Sequence, residues 1–409
     1  MPMDQEQLAT TQPVLEFDGK RGSFAKLLII NGILTILTLG IYRFWAKTKV
    51  RKFFWSNVRF LDDPLEYTGT GGELFVGFLI VIAILFPMGL IYTAIGSLVP
   101  PDATELRVGL EVIYYLTIFA LLQIGFYRMW RYRMSRTTWR GVRFGLDGST
   151  WTYLKLACGW SILTFLTLGA AYPWMQVDLW RYQVRHTRLG SEVFNFTGNA
   201  KELLLPWLPC FVAILCNVGI MIGAAVFFTY GADVFGAEFS QTEQGILLTV
   251  VIFVANTVGA IGYLYFRVRQ TRMQISGLRV GKVTFHSSLS FIRLFVFAVL
   301  SLLSMGIILS LPLALYYVLG IDIGVFPPIA DPQPMTFGKA FASLILMFIS
   351  FVVVLPFIWT VLFGFEVIKQ MVITTTIENP EALEQAAQSA SDTPRTGEGL
   401  ADALDIGGF

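Results

Sequence analysis

Long apolar runs, separated by short polar segments, dominate the pattern of this chain. A helix needs roughly 20 apolar residues to cross the hydrocarbon core of a bilayer. Six runs approach or exceed that length and predict spans at 74–99, 112–127, 203–232, 244–266, 294–321 and 340–365. Two further apolar elements, 24–44 and 152–177, contain glycine or proline. The pattern predicts an all-α membrane protein, a polytopic helical bundle with tandem internal repeats, in which these two elements either re-enter or span.

An internal repeat organises the chain. Segment 18–74 aligns with segment 147–203 without a gap, and the identities include Asp-Gly, Trp, Thr-Gly and Glu-Leu. A partial third copy at 300–306 repeats the L-[ST]-x-L-[ST]-[LM]-G signature of 34–40 and 163–169. Arginines and glycines of 131–145 also match those of 267–281. These matches predict five segments: a polar arm at 1–16, membrane repeat 1 at 17–128, membrane repeat 2 at 129–266, a partial repeat 3 at 267–377 and a disordered acidic tail at 378–409.

Charge is scarce and unevenly placed. Only 14% of the 409 residues are charged and mean hydropathy is +0.63, whereas about a quarter of a soluble domain is charged. Lys and Arg concentrate in four segments, 45–72, 128–151, 178–202 and 267–287, and are absent from 100–106, 231–243 and 322–338. Since cytoplasmic loops are enriched in Lys and Arg, we expect a multi-pass protein of the bacterial inner membrane with the basic segments and the acidic tail in the cytoplasm.

The same charges raise a question about the two interrupted elements. Element 152–177 has basic segments at both ends, so a simple crossing would export one of them. Two repeats with equally placed charges should lie parallel, which requires an even number of crossings in each. Elements 24–44 and 152–177 are therefore predicted to be re-entrant or interfacial. The alternative, that both cross, is favoured by the third copy, because 294–321 has the length of a full span.

Basic and glycine residues beside the apolar elements are candidates for binding an anion or a lipid headgroup. They are Lys47, Lys49, Arg51, Gly69, Gly71, Arg131, Arg133 and Arg136. For the YTGTGGE segment at 67–73, a structural turn with acidic capping by Glu73 is the competing interpretation. The aromatic residues of the basic loops indicate an interfacial belt rather than nucleic-acid stacking.

Polar residues inside the apolar elements form a second candidate set. They are Thr35, Thr38, Thr164, Thr167, Asn217 and Asn256. Such residues could line a mid-membrane path, and they could equally hydrogen-bond between helices.

Patterns typical of catalysis and metal binding are missing from the sequence. The two histidines lie in basic loops, and the three cysteines lie in apolar runs without zinc spacing. We therefore expect no enzyme, no cofactor and no metal site. The expected partners are membrane lipids with anionic headgroups; nucleic acid is not expected, and protein partners stay open.

Five motifs resemble a known family: FDG at 17–19, LTLGIY at 37–42, FWAK at 44–47, YTGTGGELF at 67–75 and GVRF at 141–144. They are similar to those of the YjgN-type family of bacterial inner-membrane proteins, whose function is undefined. The resemblance implies an inner-membrane location and several spans, and it implies no particular binding residue.

Two functions follow from the sequence. The first is a permease-like transporter of a small solute or lipid, which requires a polar path at mid-membrane. The alternative is a lipid-headgroup-binding envelope scaffold without transport or catalysis, which requires only the basic and aromatic cytoplasmic belt.

Overall fold

The computed structural model describes residues 14–235, 241–319 and 354–380, and the side chains of 224–248 and 311–319 are outside that description. Most of the predicted N-terminal arm, most of the predicted acidic tail and the first part of the predicted span at 340–365 lie outside the described residues. Eleven helices are described: α1 (Arg21–Leu37), α2 (Arg43–Ser56), α3 (Gly71–Leu98), α4 (Thr104–Ser135), α5 (Thr150–Leu166), α6 (Tyr172–Arg185), α7 (Leu204–Phe235), α8 (Gln241–Ser276), α9 (Phe291–Leu319), α10 (Leu355–Trp359) and α11 (Phe365–Ile373).

Two irregular turns accompany these helices. A 3₁₀ turn (Ala200–Leu203) precedes α7, and a π-helical turn (Thr360–Gly364) joins α10 to α11. Among the described residues, six helical stretches are long and apolar enough to cross a membrane. They are Gly71–Leu98, Thr104–Ser135, Ala200–Gly223, Thr249–Ser276, Phe291–Ser310 and Leu355–Ile373. Five of them cover most of a predicted run, which confirms those spans by length and composition, and the sixth, Leu355–Ile373, overlaps the described end of the run at 340–365.

The prediction of an all-α fold was wrong, because the described residues also contain ten strands. They form one antiparallel sheet that follows chain order from β1 to β10. The strands are β1 (Leu15–Phe17), β2 (Val58–Phe60), β3 (Asp63–Tyr67), β4 (Thr137–Trp139), β5 (Val142–Leu146), β6 (Thr187–Leu189), β7 (Glu192–Phe196), β8 (Leu278–Val280), β9 (Val283–Ser287) and β10 (Thr375–Glu378).

Strand length explains why the sheet is hard to predict. Each strand has three to five residues, so the alternation of apolar and polar positions is too short to distinguish it from a loop. The four hairpins β2–β3, β4–β5, β6–β7 and β8–β9 all lie inside the four Arg- and Lys-rich segments. Three of the four turns do carry a local signal, a glycine: Gly141, Gly190 and Gly281 have φ of 76°, 58° and 55°, the left-handed conformation that a tight hairpin turn requires.

The chain divides into two compact units. The first comprises residues 1–65 and 290–374, and its described core is aromatic: Phe24 lies 4.9 Å from Phe54 and 5.5 Å from Phe365 between ring centroids. The second comprises 66–289 and 375–408. In it α7 and α8 approach closely, because a Cβ on Gly262 would lie only 2.7 Å from Pro209 Cβ, the small-residue packing typical of membrane helices.

The order of elements repeats along the chain in the register of the sequence alignment that pairs 18–74 with 147–203. In that alignment the bounds of α1, α2, β2 and β3 coincide with those of α5, α6, β6 and β7. The structural equivalence of the later hairpins differs from the predicted match of 131–145 with 267–281, which paired Gly145 with Gly281. The structure places Gly145 inside β5 and Gly281 in the turn between β8 and β9. The strand equivalent to Thr137–Trp139 is therefore Leu278–Val280.

The two interrupted elements are helical hairpins rather than single helices. In the first unit, β1 leads into α1, the chain reverses, and α2 leads back into β2, which pairs with β1 at Leu15 and Phe60. In the second unit α5 and α6 are enclosed in the same way by β5 and β6, which pair at Phe144 and Leu189. Each hairpin begins and ends at the sheet, and this geometry favours the re-entrant alternative. The third copy differs, since Gly306 lies within the continuous helix α9.

Candidate functional site

The turn of the first helical hairpin is a helix C-cap built by the LTLG sequence. Leu39 adopts φ of 51°, the Gly40 N–H donates to the Thr35 carbonyl at 2.7 Å, and the Leu39 N–H donates to the Ile36 carbonyl at 3.0 Å. This is the Schellman arrangement, which satisfies carbonyls at the end of a helix. Leu168 and Gly169 repeat it with φ of 51° and 96°.

Thr38 completes the turn by bonding in both directions. Its hydroxyl donates to the Leu34 carbonyl at 2.7 Å and accepts from the Tyr42 N–H at 2.9 Å. Thr167 makes the same two bonds, to the Leu163 carbonyl at 2.8 Å and from the Ala171 N–H at 3.1 Å. Together with the backbone bonds, they give every N–H from residue 38 to residue 43 an acceptor. The N–H groups of the turn therefore need no water.

The side chains at this turn are apolar and exposed. Leu37 is 73% exposed and Leu39 is 95% exposed within the described part of the chain. Irregular backbone is tolerated at membrane depth only when its polar groups are satisfied, and the N–H groups of this turn meet that condition while its leucines are exposed. The geometry suits insertion of the hairpin tip into lipid. Thr35, whose hydroxyl donates to the Asn31 carbonyl at 2.7 Å, is also satisfied within its own helix.

The remaining predicted mid-membrane residues have local partners too. The hydroxyls of Thr164 and Thr167 donate hydrogen bonds, the first to a side chain of the neighbouring helix α6 and the second to a carbonyl of α5. The amides of Asn217 and Asn256 bond to each other across α7 and α8 at 3.3 Å, and each also donates to the carbonyl one turn earlier. Hydrogen bonds of this kind, within one helix or between two helices, commonly stabilise membrane proteins.

Helix α2 carries the basic residues predicted in the first unit. Lys49 is exposed and its ammonium lies 2.5 Å from the Tyr42 hydroxyl, Lys47 is half-buried, and Arg51 is 1% exposed. The equivalent helix α6 has Gln176, Asp178 and Trp180 at these three positions of the repeat. The two helical hairpins have the same backbone conformation and differ in the charge of their second helix.

The segment 67–73 is a capped helix start, as the structural interpretation predicted. Thr70 Oγ1 accepts from the Glu73 N–H at 3.3 Å, and Glu73 Oε2 accepts from the Thr70 N–H at 3.4 Å, the reciprocal capping box. Gly69 lies under the Tyr67 ring, since a Cβ there would lie 2.7 Å from it, and Gly71 begins α3. The Glu73 carboxylate thus occupies the vicinity of this helix N-terminus.

Arginines of α4 stabilise the junctions between helices and hairpins. Arg136 forms a 2.7 Å ion pair with Glu73, so it joins the 67–73 segment. Arg131 is not part of the 67–73 segment. It donates to the Gly148 carbonyl, and its guanidinium lies 5.3 Å from the Tyr127 ring centroid. Arg133 lies in the last turn of α4. The predicted basic set therefore divides into α2 residues of the first unit and junction residues of the second.

Two features of the first unit could not be found from the sequence. The Arg21 guanidinium lies 2.7 Å from the Glu366 carboxylate, and Gln370 donates to the same carboxylate at 2.7 Å. Asn31 is 2% exposed, and neither atom of its side-chain amide has a hydrogen-bond partner in the described part of the chain. Nothing in the sequence separates Asn31 from other polar residues of apolar helices. What distinguishes Asn31 is that its unpartnered amide is buried, which only the structure shows.

Comparison with known proteins identifies the family of the chain. A family model described as "Bacterial protein of unknown function (DUF898)" matches residues 12–403. The chain belongs to the DUF898 family. Similar relatives include the inner membrane protein YjgN of Salmonella typhimurium LT2, 30% identical over 143 residues, which are 34% of this chain and 33% of that protein. YjgN of Escherichia coli O157:H7 is 20% identical over 323 residues, 67% of this chain and 77% of that protein.

These relatives define the location of the DUF898 protein. The chain spans about a third of the length of the Salmonella protein and, at 25% identity, 36% of YjgN from Escherichia coli K12. No solved structure matches. Together with the six candidate spans, the relatives show an integral, multi-pass protein of the inner membrane.

Proposed function

We propose that this DUF898 protein binds anionic phospholipid headgroups at the cytoplasmic leaflet through its first helical hairpin, as an envelope scaffold without transport or catalysis. The observation that carries the proposal is a long segment free of acidic residues. No Asp or Glu lies between Asp18 and Asp62, where nine basic residues do: Lys20, Arg21, Lys26, Arg43, Lys47, Lys49, Arg51, Lys52 and Arg59. Each Lys or Arg near an anionic membrane surface contributes about 1 kcal/mol.

The second copy indicates that folding does not demand these charges. Helix α2 has five basic residues and no acid, a formal charge of +5, whereas α6 has Arg181, Arg185 and Asp178, a formal charge of +1. Both helices have the same length and follow the same turn. The helical hairpin therefore forms without the extra cations of α2, which supports a role for them in binding an anion.

The polar residues expected along a solute path support the same choice. Thr35, Thr38, Thr167 and the Asn217–Asn256 pair have their hydrogen bonds within one helix or between two neighbouring helices. A permease would need such groups to face a shared path. Headgroup binding needs only the arrangement of lipid-facing leucines and cations that the first hairpin presents.

The acidic tail fits the cytoplasmic side in this proposal. It begins at the last residue of β10, which pairs with β9 of the Arg- and Lys-rich segment 267–287. Residues 378–409 contain seven acids and one base, a formal charge of −6. A tail of this charge on the cytoplasmic side would be repelled by an anionic membrane surface and would not itself bind the headgroups.

Native mass spectrometry of the detergent-purified full chain tests the proposal. With added phosphatidylglycerol and phosphatidylcholine, the wild type should retain phosphatidylglycerol preferentially. The triple variant Lys47→Gln, Lys49→Gln, Lys52→Gln should retain it at least tenfold less, because three cations at about 1 kcal/mol each are removed.

A matched control removes the same charge from the second copy. Lys155, Arg185 and Lys201 are exposed cations, and their joint replacement by Gln should leave phosphatidylglycerol retention within about twofold of wild type. Equal retention by both triple variants would overturn the proposal.

A further inference from the structure

The buried amide of Asn31 lacks the hydrogen bonds that such a group needs. The residue is 2% exposed, and both Nδ2 and Oδ1 are without a partner among the described residues. Its backbone carbonyl is satisfied by the Thr35 hydroxyl at 2.7 Å, so only the side chain is left over. A buried polar group of this kind costs free energy and calls for a ligand, an ion or a water.

The helical register places Asn31 opposite Lys47. Asn31 lies seven residues after Phe24, which is two helical turns and the same face of α1. The Phe24 ring packs against Phe54 of α2, with centroids 4.9 Å apart. Because α1 and α2 pack as an antiparallel pair, seven residues from Phe54 towards the turn reaches Lys47. The Cα positions of Asn31 and Lys47 therefore lie at the same level of the hairpin.

The second copy lacks both features. The residue equivalent to Asn31 is Trp160, and the residue equivalent to Lys47 is Gln176. Gln176 has a partner within the second unit, since Gln270 donates to it at 3.0 Å. The second hairpin thus folds without an unsatisfied amide and without a cation at these positions.

We infer that Asn31 and Lys47 form a site for a phosphate that carries a neighbouring hydroxyl, a glycerophosphate group. The Lys47 ammonium is a point charge suited to the phosphate. A primary amide both donates and accepts, and a hydroxyl is the simplest group that complements it. The inference rests on the proposed headgroup binding and names the chemistry of that headgroup. The glycerophosphate comes either from phosphatidylglycerol or from a soluble glycerol phosphate.

Competition between two anionic lipids tests the site. Phosphatidylglycerol and phosphatidic acid both carry phosphate, and only the first has a glycerol headgroup. Wild type should retain phosphatidylglycerol roughly fivefold over phosphatidic acid, as one hydrogen-bonded hydroxyl warrants. Asn31→Leu should reduce this ratio to about one while keeping total anionic lipid, and Trp160→Leu, at the equivalent position, should leave the ratio unchanged.

A stability measurement keeps the test independent of folding. Asn31→Leu removes an unsatisfied buried amide, so its Tm in lipid-free detergent should equal or exceed that of wild type. Added phosphatidylglycerol should raise the Tm of wild type more than that of the variant. An unchanged lipid ratio in Asn31→Leu overturns the inference and leaves the proposed function standing, whereas unchanged retention in the triple Lys variant overturns the proposed function itself.

Soluble glycerol 3-phosphate distinguishes the two sources. If millimolar glycerol 3-phosphate displaces phosphatidylglycerol from wild type and not from Asn31→Leu, the site takes the soluble compound. If it displaces nothing and the lipid preference holds, the site takes the lipid. The absence of both effects contradicts the inference.

Discussion

The Arg21 guanidinium lies 2.7 Å from the Glu366 carboxylate, although the two residues lie near opposite ends of the chain. The Glu366 side chain is 5% exposed, and Gln370 donates to its second oxygen at 2.7 Å. The guanidinium also lies 5.1 Å from the Phe297 ring centroid. The first residue of α1 is thereby bound to α11 within the first unit.

Removing Arg21 should destabilise the protein. Arg21→Ala leaves a buried carboxylate without its cation, and we expect a loss of about 2 kcal/mol in unfolding free energy, which is below the roughly 3–5 kcal/mol typical of a fully buried pair. The smaller loss is expected because the Arg21 side chain is 38% exposed. Thermal unfolding in detergent measures it.

The surface pair of Arg59 and Asp18 is the control for this change. Their atoms are 2.9 Å apart, and both side chains are about half exposed. Arg59→Ala should therefore cost less than about 1 kcal/mol. Equal Tm shifts for Arg21→Ala and Arg59→Ala would show that the Glu366 contact adds nothing.

Loss of the Thr38 hydroxyl should open the turn of the first helical hairpin. Thr38→Val removes the bond to the Leu34 carbonyl and leaves the Tyr42 N–H without an acceptor. We expect a loss of about 1–3 kcal/mol, the cost of an unsatisfied buried donor. Thr93→Val is the control, since the Thr93 hydroxyl only donates to carbonyls of its own helix. If Thr38→Val and Thr93→Val unfold at the same temperature, the role assigned to the Thr38 hydroxyl is refuted.

Gly277 should not tolerate a side chain. A Cβ there would lie 2.9 Å from the Gly198 backbone nitrogen and 3.0 Å from the Met273 carbonyl oxygen, so Gly277→Ala should cost about 1–3 kcal/mol through overpacking. Gly159, inside α5, has open space around its Cα, and Gly159→Ala should stabilise by up to about 1 kcal/mol. Denaturation midpoints in mixed micelles compare the two, and a neutral Gly277→Ala would contradict the close approach.

Long apolar runs and repeated motifs could be predicted from the sequence. Span positions follow from length and hydropathy alone, and the repeat follows from paired Asp-Gly, Trp and Thr-Gly residues. The role of Thr38 could not be predicted, because its hydrogen bond to the Tyr42 N–H depends on the backbone at Leu39. Sequence reasoning proposed a mid-membrane polar group there, and the structure shows a local cap.

The sheet and the buried network depend on contacts distant in the sequence. Strands such as Val58–Phe60 have three residues, and only pairing with a neighbour identifies them. Glu366 directly follows the predicted span at 340–365, and the sequence alone does not pair it with Arg21. The register relating the later hairpins was also predicted wrongly, since matched arginines are weaker guides to register than the turn residue Gly281.

Cysteine labelling at the two ends of the first helical hairpin tests the central claim most directly. Lys20 and Ser56 are exposed residues just before α1 and at the end of α2. In a background without Cys158, Cys210 and Cys216, we expect a membrane-impermeant maleimide to label Lys20→Cys and Ser56→Cys from the cytoplasmic side alone. Asn199→Cys, which follows the second hairpin, should behave alike. Labelling of Lys20→Cys and Ser56→Cys from opposite sides, or of Asn199→Cys from the periplasm, would contradict a re-entrant hairpin with its basic helix at the cytoplasmic leaflet.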